Sequence, residues 1–422
     1  MTARRITATY HVETAYPIRE AVETMAGEQS TGTFVRLPGE TDEMRELYGA
    51  HIESVTELDE VAEPSLPGAG VPKGLPGKPV WRRAEVVLSW PLANFGASLP
   101  NLVATVAGNL FELRPFSGLR LLDISLPEEF AAKYPGPKFG AAGTRRLSGV
   151  EGRPLIGTIV KPSVGLGPEE TADLVKVLCE AGIDFIKDDE LQADGPHCPF
   201  EARARAVMRV IREHAERTGK KAMYAFNITG DLDEMRRNHD LVVELGGTCV
   251  MASLNSVGLT GMIELGRFSQ LPIHAHRNGW GYLSREPSLG WSYVAWQKIW
   301  RLAGADHMHV NGLRNKFCES DESVIASAKA CLTPMFDSKP CTVMPVFSSG
   351  QTVRQAPATY AALGSSDLIH AAGGGIMAHP DGPAAGFAAL RESWEAALAG
   401  IPLEDYARDH PALAKALGAY AA

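Results

Sequence analysis

The densest chemistry in the chain is the run Lys187-Asp188-Asp189-Glu190, which closes a short apolar stretch. If that stretch is a strand, side chains alternate along it. Lys187 and Asp189 then share a face, and Glu190 lies where strand yields to loop and can swing toward them. Two carboxylates suit Mg²⁺, a hard cation that takes oxygen ligands in octahedral geometry and keeps several waters. A free ammonium would repel that ion, whereas a carbamylated Lys187 would add a third anionic ligand. The competing reading is a solvated run of loop charges. Lys161 ends the apolar run LIGTIV. Beside a metal its ammonium would lose its proton more readily, through like-charge repulsion and desolvation, and it could work as general acid or base near neutral pH. Otherwise it is a lysine reaching from a strand end into water.

Further candidates punctuate the chain downstream. They are His274, His276 and Arg277, then His307 and His309, then Ser348-Ser349-Gly350, then Gly373-Gly374-Gly375. The glycine run offers backbone N–H groups unshielded by side chains. It is either a phosphate cradle that Gly350 completes or a tight turn. Arg277 with His309 could clamp a second anion, and the alternative is a set of satisfied core histidines. Lys316 lies in GLRNKFCES, residues 312–320. That segment is either a loop that closes over substrate and excludes water or ordinary surface.

Each of these positions follows an apolar or β-branched run. Eight strands are expected at 155–161, 184–190, 221–229, 248–254, 272–277, 307–311, 341–349 and 367–373, with helical patterns between them, as at 200–217 and 231–245. Eight βα units in about 250 residues predict a TIM (β/α)₈ barrel, whose active site lies at the C-terminal ends of its strands. An open doubly wound sheet would carry an early G-x-G-x-x-G, which is absent. Ahead of the barrel, strands are expected at 5–13, 33–37, 84–90 and 119–125, with helices at 17–25 and 99–107 and a Pro/Gly-rich loop at 60–78. That pattern predicts a small α+β, ferredoxin-like domain over 1–145 and a barrel with C-terminal helices over 146–422. Forty-one basic against 50 acidic residues, a net charge of −9, argue against a nucleic-acid or anionic-membrane partner. An anionic ligand must therefore meet a local basic pocket. Six cysteines without a C-x-x-C pair, and no apolar run of the ~18 residues a membrane span needs, point to a reduced, cytoplasmic setting.

Taken together, GTIVKPSVGL, DFIKDDE, HAHR, HMHVNG, PVFSSG and AAGGGIMAHP resemble the RuBisCO large-subunit superfamily. EQSTGTF at 28–34 and VAGNLF around Asn109 extend the resemblance, which runs from about residue 5 to 410. It implies that Lys187 is carbamylated and holds Mg²⁺ with Asp189 and Glu190, and that Lys161 transfers protons. Arg277 and His309 would hold one phosphate. Thr33, Lys316, Gly350, Gly373 and Gly374 would line the other anion site, with Ser348 beside the substrate. His276 would lie near the metal and substrate oxygens. Glu28, Thr33 and Asn109 would reach the site from the N-terminal domain of a second subunit, so the resemblance implies a homodimer, or a higher oligomer of dimers, with shared active sites.

The chain also departs from the carboxylase pattern. Ser163 stands where carboxylases carry a second lysine and Trp280 where they carry a histidine. Phe34 replaces a tryptophan and Ser349 the first glycine of SGG. The loop holding Lys316 lacks its usual Gly-Lys-x-Glu-Gly. These changes resemble the RuBisCO-like proteins of form IV and argue against CO₂ fixation. Lys161, the metal triad and the phosphate clamp would still form or quench an enediolate. The resemblance therefore implies decarboxylation of a phosphorylated sugar acid such as 3-oxo-isoapionate 4-phosphate, or transcarboxylation with hydrolysis on the same substrate. The alternative is methionine salvage: a 2,3-diketo-5-methylthiopentyl 1-phosphate enolase or a methylthioribulose 1-phosphate isomerase. Its enolase branch would want a base lysine near Asn109, where VAGNLF has none. A third reading is a non-catalytic sugar-phosphate sensor.

Overall fold

The computed structural model describes residues 4–32 and 37–420. The expected strand at 33–37, and with it Thr33 and Phe34, lies almost wholly outside the described residues.

Strands β1 (Arg5–Thr14), β2 (His51–Val61), β3 (Trp81–Pro91) and β4 (Phe116–Ser125) build the first unit. Strands β5 (Leu155–Ile159), β6 (Phe185–Lys187), β7 (Met223–Asn227), β8 (Cys249–Ser253) and β9 (Ile273–His276) follow. Then come β10 (Leu289–Trp291), β11 (His307–His309), β12 (Met344–Phe347) and β13 (Ile369–Ala371). Backbone contacts divide the chain into Met1–Tyr134 with Gly279–Ile299, and Pro135–Asn278 with Trp300–Ala422. The sequence reading put the boundary at 145/146 and gave the whole remainder to the barrel. The contacts put it eleven residues earlier and return a 21-residue excursion to the first unit.

The first unit is one sheet in the order β10-β4-β1-β3-β2. Its antiparallel core, with helices Ile18–Glu28 and Leu99–Ala107 following β1 and β3, is the ferredoxin-like arrangement. β1 alternates as its sequence does: Ile6, Ala8, Tyr10 and Val12 are buried. β10 adds to β4 in parallel. Trp280 leads that segment and packs against Tyr293 and Trp296, with ring centroids 5.4 and 4.8 Å away.

In the second unit eight parallel strands close in the order β5-β6-β7-β8-β9-β11-β12-β13. All eight expected strands are present, shorter than their apolar runs because the polar ends turn out of the ladder. Leu155, Phe185, Met223, Met251, Met344, Val346 and Ile369 pack in one buried cluster. Gly157 is forced by that packing: a Cβ there would lie 2.9 Å from the Phe185 ring and its carbonyl oxygen. At the opposite end of the strands, buried Asp306 accepts N–H bonds from Phe139 (2.7 Å), Gly140 (2.8 Å) and Ile273 (2.9 Å). No described helix is long and apolar enough to cross a membrane.

Candidate active site

β5 and β6 are paired neighbours, with Ile159 opposite Lys187. Residues just beyond their C-terminal ends therefore meet. Lys161 donates to Asp189 Oδ2 at 2.6 Å and to Ser163 Oγ at 2.8 Å. Lys187, the last residue of β6, is 1% exposed, and its Nζ donates to the Asp188 carbonyl at 2.8 Å. Its amine lies 3.5 Å from Glu190 Oε2. Burial pushes its pKa down, against the pull of Glu190 and Asp189. His276, at the end of β9, accepts an N–H bond from Asn278 on Nδ1 at 3.2 Å. It therefore carries its proton on Nε2, which faces Glu190 Oε2 at 3.5 Å. Burial would raise Glu190, but His276 and Lys187 outweigh it and hold the carboxyl below its usual range.

Among the described residues no three His, Cys, Asp or Glu side chains form a metal-holding cluster. Asp189 and Glu190 supply two carboxylates, and the third donor must come from Lys187. A buried amine with a lowered pKa is the nucleophilic form that CO₂ would carbamylate, and carbamylation would turn a repelling cation into an anionic ligand. The donor set fits a hard divalent cation on that condition.

Behind the triad lies a network that sequence reasoning missed. Asp188 is 1% exposed and points away from Lys187 and Asp189. It accepts from Tyr224 Oη (2.5 Å), the Asn227 N–H (2.8 Å) and Arg203 Nη2 (3.3 Å). The parity of a strand ending Lys-Asp-Asp-Glu places Asp188 on the opposite face from its neighbours. That was the available signal.

The barrel interior holds a second network. Thr144 Oγ1 lies 2.7 Å from His307 Nε2, His307 Nδ1 3.4 Å from His274 Nδ1, His274 Nε2 2.7 Å from His309 Nε2, and His309 Nδ1 3.0 Å from Ser348 Oγ. Burial lowers the pKa of all three rings, that of His307 to about 3, so each is neutral with one N–H. Every contact holds one proton, and one end sets the direction. The Thr144 hydroxyl donates to the Gly140 carbonyl at 2.6 Å, leaving its oxygen to accept from His307 Nε2. Protons then sit on Nε2 of His307, Nδ1 of His274 and Nε2 of His309, and the Ser348 hydroxyl donates to His309. The opposite direction would give up the 2.6 Å bond and gain only a 3.4 Å contact between Ser348 and Ser349.

The sequence paired Arg277 with His309 as an anion clamp. The structure shows both engaged elsewhere: His309 with His274 and Ser348, and Arg277 with Glu319 Oε2 at 2.5 Å. Glu319 lies 42 residues away, and nothing in the sequence links the two. The glycine loops do come together. A Cβ on Gly350 would lie 3.6 Å from Lys316, and one on Gly373 3.9 Å from Lys161 Cε. Gly374 has no atom within 4 Å of such a position, and Gly375 backs onto the Gln351 carbonyl. Lys316 is exposed beside Gly350. Glu28 and Asn109 belong to the first unit, where the Asn109 amide donates to Glu28 at 3.4 Å.

Residues 2–130 match the model of the ribulose bisphosphate carboxylase large chain N-terminal domain, and 140–420 that of its catalytic domain. The chain belongs to the RuBisCO large-chain family. Among relatives in this family, a 3-oxo-isoapionate-4-phosphate transcarboxylase/hydrolase from Xanthobacter autotrophicus is 59% identical, covering 99% of each chain. A 3-oxo-isoapionate-4-phosphate decarboxylase from Rhizobium rhizogenes is 46% identical, covering 98% of each. A crystal structure of a rubisco-like protein from Burkholderia fungorum superposes with a TM-score of 0.92 at 48% identity, covering 99% of this chain and 100% of that one. Octameric Rubisco from Pyrococcus horikoshii gives 0.86 at 31%, covering 99% and 94%. The chain thus stands among RuBisCO-like proteins as well as carboxylases.

Proposed function

We propose that this RuBisCO-like chain cleaves the carboxyl-bearing carbon–carbon bond of a phosphorylated 3-oxo sugar acid, 3-oxo-isoapionate 4-phosphate being the first substrate to assay. One observation carries the reading: Lys161 and Asp189 are joined at 2.6 Å on neighbouring strand ends, beside the buried amine of Lys187. Both relatives' names describe reactions on one 3-oxo acid. Cleavage leaves the bonding electron pair on the carbon next to the ketone, delocalised as an enediolate. A divalent cation held by carbamylated Lys187, Asp189 and Glu190 would supply positive charge for the oxygens on which that electron density collects.

The rest falls to the chain's own groups. Lys161, as an ammonium oriented by Asp189, stands ready to deliver a proton to the enediolate carbon. His276 presents its Nε2–H, and Ser348 presents lone pairs. The Lys316 loop and the glycines beside it fit a phosphate. Decarboxylation ends with that proton and one CO₂. Transcarboxylation with hydrolysis retains the carboxyl group, consumes one water and splits the chain into two acids. The higher identity to a relative named transcarboxylase/hydrolase, 59% against 46% for one named decarboxylase, supports the second outcome over simple decarboxylation. A thioether substrate would favour an apolar pocket, and Trp280, which stands where carboxylases carry a histidine, is 7% exposed and already packed against Tyr293 and Trp296, which weighs against methionine salvage.

The test is turnover of 3-oxo-isoapionate 4-phosphate by purified protein with Mg²⁺ and bicarbonate. Carbon dioxide release and the carboxylate products are counted separately. Two acids and no net CO₂ are expected. One CO₂ per substrate would reassign the chain as a decarboxylase, and no consumption would remove the reading. Lys161→Met is expected to abolish turnover while ligand binding persists. Undiminished turnover would refute the role given to Lys161.

A further inference from the structure

The Arg277 end of the site carries a built-in anion. Glu319 is held on both oxygens. Oε2 accepts from Arg277 Nη2 at 2.5 Å and from Asn311 Nδ2 at 2.6 Å, and Oε1 accepts from Ser323 Oγ at 2.9 Å. The Asn311 amide is itself oriented, because Ser349 Oγ donates to its Oδ1 at 2.8 Å. Asn311 adopts a left-handed backbone, φ 66°, to present that amide. The two partners of the ion pair are 7% and 14% exposed. Three donors hold this shielded carboxylate in one orientation.

The charge count decides what can bind there. Arg277 and Glu319 cancel. On the neighbouring strand, His309 already has both ring nitrogens bonded, to His274 and Ser348, and burial keeps that ring neutral. No net positive charge remains for a phosphate dianion, and an approaching phosphate would meet the Glu319 carboxylate at close range. The glycine loops, by contrast, have cations beside them: Lys316 next to Gly350 and Lys161 next to Gly373.

We propose that Glu319 makes this a monophosphate site, with the Arg277 end reserved for an uncharged hydroxyl-bearing terminus of the substrate. The proposal rests on the sugar-phosphate reading above and narrows it. It identifies Glu319 as a specificity-determining residue that excludes sugar bisphosphates. The carboxylate accepts from, and Arg277 donates to, hydroxyl groups, so the pair recognises a polyol end without adding charge.

The experiment is calorimetric binding of a matched pair, ribulose 5-phosphate and ribulose 1,5-bisphosphate, to wild-type protein, Glu319→Gln and Glu319→Asp. The wild type is expected to bind the monophosphate at least as tightly as the bisphosphate. Glu319→Gln should tighten bisphosphate binding by about tenfold or more relative to the monophosphate, as expected for freeing a shielded arginine to meet a phosphate. Glu319→Asp keeps the charge and should retain the wild-type order. A wild-type preference for the bisphosphate would overturn the proposal, as would an unchanged ratio in folded Glu319→Gln. If Glu319→Gln does not fold, the wild-type order alone decides. Turnover is not needed, so a failed activity assay leaves this test intact. Binding of neither ligand would remove both this proposal and the sugar-phosphate reading.

Discussion

Asp188→Asn isolates the network that backs the candidate metal site. The carboxylate is 1% exposed and takes three donors, and one of them, Arg203, is fully buried. Asparagine preserves the shape. Its oxygen can still accept from Tyr224, but its amide turns two hydrogens toward the Asn227 N–H and the Arg203 guanidinium. Arg203 would then keep its charge against neutral acceptors, the carbonyls of Ala193 (2.6 Å), Cys198 (3.0 Å) and Gln192 (3.4 Å) and the Cys198 Sγ (3.8 Å). Burial works against that charge, and Asp188 is the group that overcomes it. Removing one partner of a buried ion pair costs about 3–5 kcal/mol. At roughly 2 °C per kcal/mol for a unit of this size, the melting temperature should fall by about 6–10 °C. Differential scanning calorimetry of the wild type, Asp188→Asn, Arg203→Met and the double variant checks this. The double variant should lose much less than the two singles summed, since both singles break one pair. A drop below about 2 °C, or strict additivity, would refute the account of Arg203 as a charge needing its counter-ion.

Acid should weaken the barrel through its histidines. Burial lowers His307 and His370 to about 3. The unfolded chain takes up protons below about pH 6.5 that the folded one refuses. The stability is therefore complete above that pH and is lost as pH falls toward 3, by about 2 kcal/mol per ring at pH 5. A melting temperature that stays flat between pH 7 and pH 5 would contradict this. Nitrogen-15 spectra of the histidines should show His307 and His309 protonated on Nε2 and His274 on Nδ1. Thr144→Val should disturb that pattern and Thr144→Ser preserve it, and the same Nε2 form on all three rings would break the chain of inference. Gly157→Ala should destabilise the barrel by about 1–3 kcal/mol, measured by denaturant unfolding, because its methyl meets Phe185; a neutral result would show that Phe185 can yield.

What could be read in the sequence followed apolar rhythm. Barrel strands such as 223–227 and 249–253 are buried throughout and read as continuous apolar runs. β2, HIESVTELDEV, went unread because it is an exposed edge strand whose charges carry no hydrophobic period. β10 has three residues and exists only through its pairing with β4, which no local pattern announces. In the site, Lys161, Lys187, Asp189 and Glu190 were legible because strand ends place them together. Glu319 was not, because meeting Arg277 depends on how a loop folds back, and a glutamate in a loop looks like any solvated charge.

The excursion at 279–299 also ties the order of synthesis to the order of assembly. A fragment ending at Tyr134 would leave the outer edge of β4 bare, with Leu119 and Leu121 deprived of the strand laid beside them. Trp280, Tyr293 and Trp296 would likewise be stranded on any separately expressed barrel. The N-terminal sheet therefore cannot be finished on the ribosome until residue 291 has emerged, by which time five of the eight barrel strands have already been made. The two halves of this chain are interleaved products of translation, and cutting between them would yield two incomplete proteins.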